Sequence, residues 1–138
     1  MRYLGLDLGT KTLGVAISDP LGLIANDLVV LRHNEEYDKL IEEVEKIVRE
    51  KKVDALVLGF PKNMNNTIGE RAKITLEFKE KLEKKIKIPV FMQDERLTTR
   101  QAENLLIKND TSRKKRKKVI DKVAATIILQ SYLERQGK

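Results

Sequence analysis

Three acidic positions in this chain stand where a carboxylate has a chemical use. Asp7 lies in Gly5-Leu6-Asp7-Leu8-Gly9, where strand alternation puts Leu4, Leu6 and Leu8 on one face and Gly5, Asp7 and Gly9 on the other. An acid in a central strand is costly if desolvated and unpaired, so the space beside the two glycines calls for a cation, a basic side chain or water. The plainer reading is a turn aspartate capping the Gly9-Thr10 hairpin. Asp94-Glu95 follows the strand-like run Pro89 to Gln93, at the edge where open α/β sheets place their ligands. Only one of that pair can share the face of Asp7, and the residues alone do not choose. Asp121 aligns with Ala125 and Ile128 at helical spacing, on or beside the buried side of an apolar helix. Small Ala124 and Ala125 would let that helix approach the sheet. The alternative for Asp121 is an exposed acid paired with Lys117 or Lys118.

Carboxylates gathered at one sheet edge repel one another unless a cation neutralises them. The chain has no cysteine and only His33, so the ligands on offer are oxygens, which suit Mg²⁺ or Mn²⁺. Two such ions about 3.5–4 Å apart can activate water and stabilise the leaving oxygen of a phosphodiester. The same composition excludes thiol catalysis, thiolate zinc sites, a disulfide scaffold and multi-histidine centres. Of the net charge of +7, six units come from Arg113-Lys114-Lys115-Arg116-Lys117-Lys118, and the rest of the molecule is close to neutral. A basic block on a near-neutral body reads as a segment that contacts nucleic acid. With no apolar anchor, it is expected to be mobile until phosphates order it.

The elements that must position these groups can be read from periodicity. Strand-like runs at Arg2 to Leu8, Leu13 to Ser18 and Asp27 to Arg32 are divided by turn residues and predict an antiparallel meander. A helix follows over Glu35 to Lys51, with Leu40, Ile41, Val44, Ile47 and Val48 inward and Glu42/Lys46 and Glu45/Arg49 paired outward. Ala55 to Leu58 reads as a buried parallel strand that ends in a loop beginning Gly59-Phe60-Pro61-Lys62. Thr67-Ile68-Gly69-Glu70 resembles a capping box that opens a second helix to about Lys85. After the strand Pro89 to Gln93, Thr98 with Gln101 starts a short helix to about Lys108, and a final helix runs from about Lys117 to Arg135. The expectation is an α/β fold in one domain over 1–138: a mixed five-stranded sheet, meander first and parallel strands after, with helices on both faces.

Four motifs in this order, Gly5-Leu6-Asp7-Leu8-Gly9-Thr10-Lys11, Gly59-Phe60-Pro61-Lys62, Asp94-Glu95-Arg96-Leu97-Thr98-Thr99 and Ile120-Asp121-Lys122-Val123-Ala124-Ala125, closely resemble the YqgF (RuvX) family over essentially the whole chain. The resemblance implies an RNase H-like fold and a Mg²⁺-dependent nuclease. Members are described as Holliday junction resolvases and as nucleases that mature the 5′ end of pre-16S ribosomal RNA. It implies Asp7 as the strand-one metal ligand, Glu95 rather than Asp94 as the second acid, and Asp121 as the third. The related RuvC-type resolvases use four acids, and no fourth is evident here.

Lys11, Lys62, Arg96 and the block Arg113 to Lys118 are the expected nucleic-acid contacts, with Arg96 alternatively paired to Asp94. His33 reads as a solvated turn residue. The six aromatics, Tyr3, Tyr37, Tyr132, Phe60, Phe78 and Phe91, offer no evident base-stacking platform. Asp7-Leu8-Gly9-Thr10 also resembles the phosphate loop of actin-like ATPases, but those need two lobes, and a Walker loop would need Gly before Lys11. A non-catalytic nucleic-acid or ribosome-binding module is the other rival, although it needs no acids at all three places. The expected setting is cytoplasmic, without a membrane. The expected partner is precursor rRNA before branched DNA, and dense helix charge argues for a monomer or weak homodimer.

Overall fold

A computed structural model describes residues 1–9, 11–60, 70–94 and 113–136, without the side chains at 70, 71, 94, 113–123 and 136. Its elements are β1 (Tyr3–Leu8), β2 (Thr12–Ser18), β3 (Ala25–Arg32), α1 (Tyr37–Lys51), β4 (Ala55–Phe60), α2 (Glu70–Lys85), β5 (Val90–Asp94) and α3 (Arg113–Gln136). The sheet order is β3-β2-β1-β4-β5. The meander β1-β2-β3 is antiparallel, and β4 and β5 join parallel to β1, as the sequence predicts. The capping residues 67–69 and the expected helix over 98–108 lie outside the described residues.

Alternation along β1 sends Leu4, Leu6 and Leu8 into a core with Leu40, Ile41, Val44 and Val48 of α1 and Phe78 and Leu82 of α2. The opposite face carries Ala16 and Val57 and is covered by Ala125, Ile128, Leu129 and Leu133 of α3. Charges on the outer helical surfaces pair as Glu45–Arg49 at 3.6 Å and Lys79–Glu83 at 2.6 Å, while Lys81 reaches across to Asp38 of α1 at 3.0 Å.

Two boundaries differ from expectation in ways that matter for function. Gly59 and Phe60 belong to β4, paired with Gln93 and Asp94, instead of opening a loop. All six β4 residues are buried between β1 and β5, and the ladder on both sides overrides the weak strand preference of glycine. α3 begins at Arg113, so the basic block is helical and not a free arm. Lys and Arg propagate a helix well, and extending one already anchored by packing avoids the cost of nucleation.

The far end of the sheet is closed by a tight turn between β2 and β3. The Asp19 carboxylate accepts backbone N–H bonds from Leu21 (3.3 Å), Leu23 (2.7 Å) and Ile24 (2.9 Å). These bonds, that from Ile24 first, hold its carboxyl below the usual range. α3 is tied to this end by Gln130, whose Oε1 accepts from the Ala25 amide at 2.8 Å and whose Nε2 donates to the Leu23 carbonyl at 3.2 Å. Among the described residues no helix is long and apolar enough to cross a membrane.

Candidate active site

β1, β4 and β5 run parallel, and their carboxyl ends share one edge. Asp7 lies one residue before the end of β1, half-buried, opposite Gly14 of β2. In the register Leu6, Leu58 and Met92 stand level, so Gln93, one step on, is level with Asp7 two strands away, roughly 10 Å. Phe91 stacks on Tyr132 of α3 at 5.5 Å, and Arg135 of α3 donates to Gln93 Oε1 at 3.0 Å. Positions 91 and 93 thus face α3, while Met92 packs into the α1/α2 core.

The face of Asp7 is the α3 face, and on its Gly5 side the space is not filled by the cation, basic side chain or water that the glycines suggested. A Cβ at Gly5 would lie 2.7 Å from Leu129 Cβ and 3.0 Å from the Ala125 carbonyl oxygen, so that space holds α3 itself. Gly5 is there to let the helix sit against the strand. Tyr3 meets Tyr132 edge-on at 5.8 Å, while Gly5 lies under the turn from Ala125 to Leu129, so α3 runs antiparallel to β1. Burial pushes the Tyr132 phenol up, with neighbouring Tyr3 adding to it. Tyr132 in the C-terminal half of α3 thus joins Tyr3 of β1 and Phe91 of β5, far apart in the sequence, in one aromatic cluster between helix and sheet.

The β1–β2 loop begins directly after Asp7 and Leu8. The Gly9 amide donates to the Thr12 carbonyl at 2.7 Å, and Lys11 is exposed. His33 contradicts its expected role as a solvated turn residue, being buried at 7% exposure. Its ring lies 5.4 Å from that of Tyr37, and both of its nitrogens meet backbone groups. The apolar cover supplied by Tyr37 and the closing of α1 over the strand end bury it, and neither is visible from a lone histidine before Asn34.

Of the other expected site residues, Asp121 falls in α3 one turn before Ala125, and Arg113 to Lys118 form the start of that helix; the side chains of all seven are outside the description. Lys62, Glu95 and Arg96 lie outside the described residues. Among the described residues no three potential ligands gather to hold a metal. Asp7 remains an oxygen donor at the carboxyl edge of the sheet, a fit for a hard divalent cation if further carboxylates join it.

Comparison with known proteins adds three findings. Residues 1–135 match the family RuvX, described as Holliday junction resolvase. A protein of Geobacillus sp. (strain WCH70), named "Putative pre-16S rRNA nuclease", is 53% identical over 135 residues, 97% of this chain and 98% of its own length. One of the same name from Bacillus subtilis (strain 168) is 51% identical over 135 residues, with 97% and 98% covered. Among solved structures, RuvC of T. thermophilus in complex with Holliday junction substrate aligns with a TM-score of 0.58 at 15% identity, over 99% of this chain and 96% of that one. The Fowlpox virus resolvase aligns at 0.53 and 15% over the whole of both chains. At such identities these two likenesses speak to the fold, which is RNase H-like.

Proposed function

This chain belongs to the RuvX family, and on that premise we propose a nuclease that hydrolyses phosphodiester bonds in precursor 16S rRNA, with Asp7, Glu95 and Asp121 as its acidic centre. The observation that carries the reading is the position of Asp7, at the carboxyl edge of three parallel strands and on the face that α3 covers. Two arguments support the other acids. Positions 91 and 93 face α3, and strand alternation of the same parity favours Glu95 over Asp94 as the second acid. Gly5 to Asp7 is roughly 6.6 Å along a strand, or four to five residues of an antiparallel helix, which takes the level of contact from the Ala125–Leu129 turn to the turn holding Asp121.

The donor set is all oxygen, and the proposed cofactor is Mg²⁺ or Mn²⁺. When bound, such a cation would offset the negative charge of the carboxylates and ease loss of a proton from the water that attacks phosphorus. The chain itself orients the acids on a rigid sheet and helix. It brings Lys11 from the adjoining loop to the substrate backbone, with Lys62 and Arg96 as further phosphate contacts. The helical block Arg113 to Lys118 opens α3 with no acid in its first turn. Cations at the positive end of a helix dipole are unfavourable, and a polyanion relieves them. The setting proposed is the cytoplasm.

Because α3 includes the whole block, six consecutive positions encircle the helix axis and one strand meets about half of them. Replacing the four lysines by Gln removes about two of those contacts and is expected to flatten the log–log salt dependence of single-stranded RNA binding by about 1.4, at roughly 0.7 per phosphate contact. Cleavage of bound substrate should stay the same. Fluorescence anisotropy across a salt series measures the slope, and an unchanged slope excludes the block from binding.

One panel tests the reading: purified protein with Mg²⁺ or Mn²⁺ against single-stranded RNA, a pre-rRNA 5′ fragment, duplex DNA and a four-way junction. Selective cleavage of the pre-rRNA fragment is the expected result. The second reading, junction resolution, is favoured by the family description and would be supported by paired symmetric cuts in the junction. Binding without cleavage at any metal concentration would leave a nucleic-acid-binding module. Resolution needs two sites facing two strands, hence a stable dimer. The charged outer helix faces support a monomer or weak homodimer instead. Light scattering at micromolar protein should return the monomer mass, and a tight dimer would favour the junction.

A further inference from the structure

We propose that His33 is a positioning residue of this site, clamping the β1–β2 loop so that Asp7 and Lys11 are held in register with the sheet edge. The proposal rests on the reading of the Asp7 edge as catalytic. Three hydrogen bonds carry it. The His33 amide donates to the Lys11 carbonyl at 2.9 Å. Nε2 lies 3.1 Å from the Gly9 carbonyl, and Nδ1 lies 3.2 Å from the Glu35 amide nitrogen.

A carbonyl only accepts and an amide N–H only donates. Nε2 therefore carries the proton and Nδ1 the lone pair, a single neutral tautomer selected by two backbone groups. One residue thus fastens the loop on both sides of its tip, at Gly9 two residues beyond Asp7 and at Lys11. The ring is held in turn. It rests on Tyr37, which meets Phe78 of the core edge-on at 6.0 Å. Glu35, whose amide fills Nδ1, has a left-handed φ of 64°, rare for a residue with a side chain. Such a conformation persists where its surroundings over-determine it, and such sites cluster where geometry serves function. His33 packs on the α1 side of the sheet and Asp7 faces α3, so the histidine acts through the loop backbone and not on substrate.

Two substitutions separate the two ring nitrogens. Gln places an amide nitrogen near the position of Nε2, keeping the donor to Gly9 and losing the acceptor for Glu35. Asn places an oxygen near the position of Nδ1, keeping the turn bond to Glu35 and losing the clamp on Gly9. His33→Asn is expected to lower kcat about tenfold with KM little changed, since misplacement by a fraction of an ångström costs rate more than binding. His33→Gln should stay within about threefold of the parent. Amide hydrogen exchange gives a readout apart from activity: the Gly9 amide should exchange faster in the Asn variant and not in the Gln variant.

Parallel losses in the two variants, tracking their thermal stability, would reduce His33 to a packing residue and overturn the clamp, as would parent-like exchange and cleavage in His33→Asn. Asp7→Asn is run beside them. If it cleaves like the parent, the reading of the edge fails, while Gly9 exchange still decides the clamp. Should neither His33 variant fold, imidazole ¹⁵N shifts of the parent decide: protonated Nε2 with bare Nδ1 supports the clamp, and protonation at Nδ1 overturns it.

Discussion

Asp7→Asn, Glu95→Gln and Asp121→Asn are each expected to cut cleavage by at least about 10³-fold, because losing one ligand from a carboxylate cluster forfeits several kcal/mol of transition-state stabilisation. The stability change should have the opposite sign. In metal-free buffer each variant should be as stable as the parent or more so, since removing one of several neighbouring negative charges relieves repulsion that only a cation offsets. Added Mg²⁺ should stabilise the parent more than any variant. Single-turnover cleavage and thermal denaturation, each with and without chelator, measure both effects. Strong residual cleavage in all three variants, or parent cleavage in excess chelator, would remove the metal mechanism.

Gly5→Ala is expected to damage the molecule through a single methyl group. The new Cβ would meet Leu129 Cβ at 2.7 Å and the Ala125 carbonyl oxygen at 3.0 Å, and neither atom is the free end of a flexible side chain. α3 must lift from β1, at a cost of about 1–3 kcal/mol for an overpacked contact. Lifting also moves the turn that carries Asp121 away from the level of Asp7. A shift of about 1 Å in a catalytic constellation is worth roughly 10²-fold in rate, so activity should fall further than stability explains. Urea denaturation and kcat on one preparation test this together. A parent-like denaturation midpoint would mean that α3 rides less closely on Gly5 than the structure places it.

These outcomes depend on features of unequal visibility in the sequence. The alternation of β1 and the helical spacing of α1 are local, and each is long enough to be read directly; the meander and the parallel strands followed from them. The place of Asp7 near the end of β1 was legible because the strand pattern around it is local. The choice of Glu95 over Asp94 came from family resemblance, since Glu95 lies outside the described residues.

What escaped was decided by tertiary contact. The gap over Gly5 looked like room for a cation because no local signal says that Leu129 lies above it. His33 looked solvated because its burial depends on Tyr37 and on backbone groups as far away as Gly9. The start of α3 was placed too late because a run of like charges argues for a disordered tail, whereas a helix anchored further along can extend into it.

Gln130 spans 105 residues to Ala25 and 107 to Leu23, and those bonds join the last helix to the first hairpins. They also set an order in time. During synthesis β1, β2 and β3 emerge early, with the surface meant for α3 uncovered, and contacts so distant in sequence form late because the intervening chain must first be ordered. The turn bearing Asp121 arrives only with that final docking. On the proposed reading, Asp7 on β1 therefore waits for the docking of α3, and cutting power is tied to the last packing step of this fold and not to its first strands.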